Sequence, residues 1–189
     1  SGDGFLGAHC TWIRADGRGK MVLKDRFNTV LKSKKIQGFQ KGGAIRLTPG
    51  RSLGAPHLLM GEGIETTLSA LYALCLAGKG AGYAAWCGVS LGNMSGGGLG
   101  PSAPHPSDPK KRVPSPVPDM ERPGLQVPDW AEQVTLLGDG DSDRPITLAR
   151  MACAANRARA DGAKKGVRRI VRIAWADDGK DFNDMLVRP

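Results

Sequence analysis

Residues 134–143 read VTLLGDGDSD. A short β-branched and apolar run, Val134 to Leu137, meets Gly138 and then a turn that carries Asp139, Asp141 and Asp143 on alternate positions. The run has the pattern of a buried strand. Three carboxylates within five residues repel one another unless a cation lies among them. The stretch therefore reads as a strand ending at a metal-binding edge. A calcium loop of the EF-hand kind is excluded: counted from Asp139, its sixth-position glycine is Arg144 and its twelfth-position acid is Arg150. Asp143 has two readings, a further metal ligand or the N-cap of the helix that Pro145 opens.

Upstream, HLLMGEG (57–63) is a second short apolar run that ends in glycine and Glu62. ETTLSALYALCLAG (65–78) follows, with Ile64, Leu68, Leu71 and Cys75 at helical spacing and no charge between Glu65 and Lys79. That pattern predicts a helix covered on most sides and stopped at Gly78. GYAAWCGVSLGNM (82–94) reads as another buried strand running into a loop. Downstream of the acidic turn, Ile146, Ala149, Met151, Ala152 and Ala155 supply the inner face of a helix, and Arg150, Arg157 and Lys164 recur every seventh residue as a basic outer face. VRRIVRIAW (167–175) is the last strand, before the tail DDGKDFNDMLVRP. The order strand, helix, strand, loop, strand, helix, strand predicts an α/β domain over 57–189 with a mainly parallel, four-stranded sheet flanked by helices. Ligands of such sheets bind beyond the carboxyl ends of the strands. Glu62, the pair Asp139 and Asp141, and Asp181 all follow strand ends, so acids from three parts of the chain converge on one edge. Asp184 is the weaker candidate of the tail.

Residues 93–128 hold nine of the 13 prolines and the run GGGLG. So long a stretch with few apolar anchors predicts a flexible insertion. Residues 1–56 read as a separate small section of short strands and turns, CTWIR and AIRL among them.

The chain of 189 residues has a formal charge of +9, unevenly placed: residues 1–60 carry 11 Lys or Arg against 3 Asp, and the remainder 16 against 15 acids. A basic front on a nearly neutral body implies a polyanion partner, most simply nucleic acid, with Lys20, Lys32, Lys34, Lys35, Lys41 and Arg46 as contacts beside Arg150, Arg157 and Lys164. No run of 18 apolar residues occurs, so no membrane span is expected. Cys10, Cys75, Cys87 and Cys153 are scattered, without a CxxC pair, and read as buried or free thiols of a cytoplasmic protein. GAGYAAW lacks the GK[ST] of a P-loop. The opening SGDGF has no signal-peptide pattern.

The ordered set GEGIETTLSA, LLGDGDSD and GKDFNDML resembles the Toprim domain, and among its members the primase-like proteins of phages and mobile elements. HCTWIRADGRGK…KKIQGFQKGGAIRL is similar to their upstream stretch, with Cys10 where an arginine is expected. The resemblance implies a Toprim-like sheet and a divalent ion, magnesium or manganese, at Asp139 and Asp141. It implies acid/base chemistry or a share of the metal at Glu62. The expected activity is primer synthesis by a nucleotidyltransferase on single-stranded DNA from nucleoside triphosphates. A zinc-binding module and a helicase are expected partners outside these residues. A metal-dependent nuclease and a non-catalytic DNA-binding module remain open on the same motifs. A topoisomerase is disfavoured, because Tyr72 and Tyr83 are the only tyrosines and Tyr72 lies in the apolar helix.

Overall fold

A computed structural model describes residues 4–49 and 56–186. The chain divides into two units after Gln40. In the first, β1 (Gly7–Thr11) awaits an antiparallel partner while a hairpin forms from β2 (Leu23–Lys24) and β3 (Val30–Leu31); β4 (Lys34–Gly38) then returns along β1. These strands are short and mostly exposed, and Phe5, Trp12, Phe27 and Phe39 are all exposed.

The boundary expected at 56/57 thus lies earlier, because β5 (Ile45–Arg46) belongs to the second unit. It pairs antiparallel with β7 (Tyr83–Cys87), and the pairing is extended by Leu47 N–H donating to the Ala85 carbonyl and Ala85 N–H donating to Thr48 Oγ1, each at 2.9 Å. The expected four strands are present: β6 (His57–Gly61), β7, β12 (Gln133–Gly138) and β13 (Ile170–Trp175), all parallel. With β5 as a fifth, antiparallel edge, the order across the sheet is β13-β12-β6-β7-β5. Within the parallel set, the chain first steps from β6 to β7 on one side and later crosses to β12 on the other. The strand order therefore reverses between β6 and β12, and ligands of open α/β sheets bind beyond the carboxyl ends at such a reversal.

Side chains alternate across the sheet. Leu58 and Met60 of β6 and Val134 and Leu136 of β12 pack with Met151 and Ala155 of α3 (Arg144–Lys164) on one face. Leu59 and Leu137 pack with Ala70, Leu71 and Leu74 of α1 (Ile64–Leu76) and Phe182 of α4 (Phe182–Leu186) on the other. Helix α1 turns differently from the expectation. Its buried residues are the small ones, Thr66, Thr67, Ser69 and Ala70, whereas Leu68, Tyr72 and Leu76 face outward at 43%, 58% and 64% exposure. The cause is close approach: a Cβ on Gly61 would stand 2.5 Å from Thr67 Oγ1, so the helix start lies against β6 with room only for short side chains.

The proline-rich segment is not the flexible arm that composition suggested. It begins in α2 (Leu91–Ser95) and continues through β8 (Gly97–Gly98), β9 (Ala103–Pro104), β10 (Arg112–Val113) and β11 (Pro118–Asp119), which form two short antiparallel pairs. Met94, Leu125 and Val127 are 2%, 5% and 3% exposed and complete the α3-side core. Burying three such side chains contributes roughly 1.5–3 kcal/mol each, enough to order a segment whose prolines already restrict the unfolded chain.

Two buried arginines tie the segment down. Arg157 Nε donates to the Ser95 carbonyl at 2.9 Å and its Nη2 to the Asp119 carbonyl. Gly96 and Gly124 leave the slot it fills, since a Cβ at either would meet the guanidinium at 2.7 Å. Arg169 donates to the carbonyls of Ala158, Val127 and Pro128 and pairs with Asp161 at 2.6 Å. Among the described residues no helix is long and apolar enough to cross a membrane.

Candidate active site

Glu62 directly follows β6, and Asp139 directly follows β12, the two strands that flank the order reversal. Beyond Asp139, the turn is held from within and from a neighbouring loop. Ser142 Oγ donates to the Asp139 carbonyl and lies 2.9 Å from Thr147 Oγ1, which anchors the turn to the first turn of α3. Gly140 N–H donates to the Lys180 carbonyl at 2.8 Å, and Gly179 N–H donates to the Gly140 carbonyl at 3.0 Å. A Cβ on Gly140 would stand 2.0 Å from the Asp177 carbonyl oxygen. Glycine between the two aspartates is what lets the loop after β13 close onto the turn, and that closure brings Asp181 toward Asp139.

The electrostatic outcome centres on Asp139. Burial first, then the charges of Asp181, Glu62 and Asp141, push its carboxyl up to about 6, while the Thr66 hydroxyl opposes this by donating to it. Its Oδ1 is buried without a hydrogen-bond partner. Of the acids that follow separate strand ends, Glu62 and Asp181, with Asp141 of the same turn, lie near enough for their charges to act on Asp139. Among the described residues, no three His, Cys, Asp or Glu side chains enclose an ion by themselves. Magnesium differs from calcium in this respect, since it is held by one or two carboxylates with waters and substrate phosphate completing the shell. An orphaned, partly desolvated carboxylate oxygen among other carboxylates fits such an ion.

Asp143 takes the capping role. Its side chain accepts from Ile146 N–H at the start of α3, and its two oxygens also engage His105 Nε2 at 2.9 Å and Lys111 Nζ at 2.7 Å. Lys111, and then His105, hold its carboxyl down at about 2. His105 is buried, and its Nδ1 accepts from the N–H groups of Ser107 and Asp108, which leaves Nε2 to donate to Asp143. With both oxygens so engaged, Asp143 leaves the expected ligand set. Asp181 N-caps α4: Asp184 N–H donates to Asp181 Oδ1 at 2.8 Å while Asp181 N–H donates to Asp184 Oδ2 at 3.2 Å. Asp184 thus completes a reciprocal cap.

Composition offered no sign of Thr66, of the loop at 177–180, or of Cys87. The Cys87 thiol donates to the Glu62 carbonyl at 3.1 Å and accepts from Val89 N–H, with Val89 at φ 68°, a left-handed conformation rare for a β-branched residue. Asn93, itself buried, donates to the Gly43 and Gly88 carbonyls and accepts from Gly42 N–H, which fixes this loop beside the carboxyl ends. The Gly140 signal was present in sequence as a glycine between aspartates, but its contact with Asp177 was not.

The basic residues sort unevenly. Lys20, Lys32 and Lys35 are exposed and Lys34 half-exposed in the first unit; Lys41, Arg46 and Lys164 are exposed and Arg150 half-exposed in the second. Arg46 lies with its guanidinium 5.0 Å from the Trp86 ring centre. Arg157 is 6% exposed, so the expected basic stripe on α3 loses its middle member: the insertion covers that side of the helix. Compared with protein-family models, curated proteins and solved structures, the chain matches none.

Proposed function

We propose that the chain is the metal-dependent catalytic core of a primase-like Toprim protein, which forms phosphodiester bonds on a single-stranded DNA template from nucleoside triphosphates. The observation that carries this reading is Asp139: its Oδ1 is buried and unpartnered, under the charges of Glu62, Asp141 and Asp181, at the strand-order reversal. Bound magnesium or manganese supplies charge neutralisation for phosphoryl transfer. Asp139 and Asp141 would hold that ion at the strand-order reversal. Glu62, at the adjacent strand end, would be the base that accepts the proton of the 3′-hydroxyl as its oxygen bonds to the α-phosphorus and the bond from that phosphorus to pyrophosphate breaks. The lysines of the first unit carry the template backbone.

The test is an incubation of the protein with labelled single-stranded DNA, nucleoside triphosphates and manganese. Longer products that disappear in the Asp139→Asn/Asp141→Asn variant are expected. Shorter products with the same dependence would replace synthesis by cleavage. Neither product, with DNA binding intact, would refute turnover by this chain.

A further inference from the structure

At the tip of the β2–β3 hairpin, Phe27 is 74% exposed. A surface phenylalanine forgoes the stabilisation that burial would give, yet this one is held in a built turn. Asp25 Oδ1 accepts from both Phe27 N–H (2.8 Å) and Thr29 N–H (2.9 Å), Asn28 N–H donates to the Asp25 carbonyl, and Asp25 N–H donates to the Thr29 carbonyl. Asn28 adopts φ 64°, a left-handed conformation that asparagine tolerates. The tip is therefore pre-organised. It also presents a cation with the ring: Arg26 Cζ lies 4.7 Å from the Phe27 ring centre, and the ring remains three-quarters exposed.

The surroundings say what kind of molecule such a pair meets. Residues 4–40 carry eight Lys or Arg (Arg14, Arg18, Lys20, Lys24, Arg26, Lys32, Lys34, Lys35) against Asp16 and Asp25, a balance of 8 − 2 = +6. Lys24 immediately precedes the turn. That charge selects a polyanion. An aromatic ring with an adjoining guanidinium adds a stacking surface that any base can use. Bases of a duplex are already stacked on their neighbours, so a lone ring at a hairpin tip gains most from an unpaired base.

We propose that the Arg26–Phe27 tip stacks one base of a single-stranded nucleic acid, with the neighbouring lysines on its phosphates. The choice of ligand rests on the functional reading above, but the site lies in the first unit, apart in sequence from the acidic edge.

Fluorescence anisotropy with a labelled oligothymidine of about 20 nucleotides, and with an abasic strand of equal length, tests it on Phe27→Leu, Phe27→Trp and a Lys32→Ala/Lys34→Ala/Lys35→Ala variant. Leucine keeps apolar bulk and removes the π-face. Phe27→Leu should weaken oligothymidine binding by at least about fivefold, the low end for losing one base–aromatic stack, with the salt dependence unchanged. Phe27→Trp should stay within about twofold of the parent or bind more tightly. The abasic strand should bind parent and Phe27→Leu alike. The lysine variant should instead flatten the slope of log affinity on log salt by roughly one to two, at about 0.7 per phosphate contact. Because Phe27 is exposed, melting temperatures should agree within about 2 °C, so folding does not confuse the result.

Parent-like binding by Phe27→Leu overturns the proposal, and so does an equal loss on the abasic strand. Binding of phosphatidylserine vesicles that needs an apolar residue at 27, leucine included, would assign the tip to a membrane surface and overturn it too. The stacking result combined with no metal-dependent product from the parent would leave this site standing and remove the enzymatic reading alone.

Discussion

Asp139→Asn turns the central electrostatic claim into a measurable sign. The carboxyl is raised from 3.8 to about 6 by burial and by three neighbouring acids. At about 1.4 kcal/mol per unit, that is roughly 3 kcal/mol of strain when Asp139 ionises. The residue is only half-buried, so solvent screening reduces the figure to about 1–1.5 kcal/mol. A group whose folded value lies above its unfolded value contributes stability at low pH and loses it as pH rises through the folded value. The metal-free parent should therefore weaken relative to Asp139→Asn between about pH 4 and pH 7, and the variant, which cannot ionise, should not share that loss.

In chelator at pH 7.5 the variant should melt about 3–5 °C above the parent, at about 2–4 °C per kcal/mol for a chain of this size. The gap should close by pH 4. Added magnesium or manganese should raise the parent's melting temperature, because an ion that binds only the folded state stabilises it, and should leave the variant nearly unchanged. Thermal denaturation followed by circular dichroism across this pH series checks each part. A variant that melts at or below the parent at pH 7.5 without metal, or a gap that does not change with pH, would refute the reasoning.

Two further outcomes test the way the site is supported. Arg157→Ala removes a buried guanidinium bonded to the Ser95 and Asp119 carbonyls, and should lower stability by about 3 kcal/mol, or about 6–12 °C, with no change in nucleic-acid affinity of the folded protein. Weaker binding with an unaltered melting temperature would return Arg157 to a surface role. Gly140→Ala places a methyl group where the Asp177 carbonyl stands, 2.0 Å away, so the loop at 176–180 must leave the acidic turn. Metal affinity, measured by calorimetric titration, should fall by about tenfold or more, the usual cost of losing groups that orient ligands, and parent-like affinity would refute that support.

Glycine-terminated apolar runs, helical spacing and acids behind strand ends were legible in the sequence, because each is a local pattern set by backbone geometry. They were enough for the parallel α/β sheet and for placing Glu62 and Asp139 behind adjacent strand ends, where the charges of Asp181, Glu62 and Asp141 act on Asp139. What they did not contain was which neighbour each face meets. Leu68, Cys75 and Ile64 have the spacing of an inner face, but Gly61 draws α1 so close to β6 that threonines and alanine pack inward and Leu68 turns out. Arg157 repeats with Arg150 and Lys164, yet two glycines 28 residues apart in the chain, Gly96 and Gly124, make a slot that takes it inside.

Proline and glycine in residues 93–128 lowered the expectation of order. Met94, Leu125 and Val127 supplied it, through contacts with α3 and the sheet that no window of sequence displays. Asp143 had both a capping and a metal reading in sequence; His105 and Lys111, 38 and 32 residues upstream, engage it at the cap. The sequence by itself determined the four parallel strands, the two long helices and the chemistry available at the strand ends. Only tertiary structure decided which charges are buried, paired or left without a partner, because those outcomes depend on distances between residues far apart in the chain.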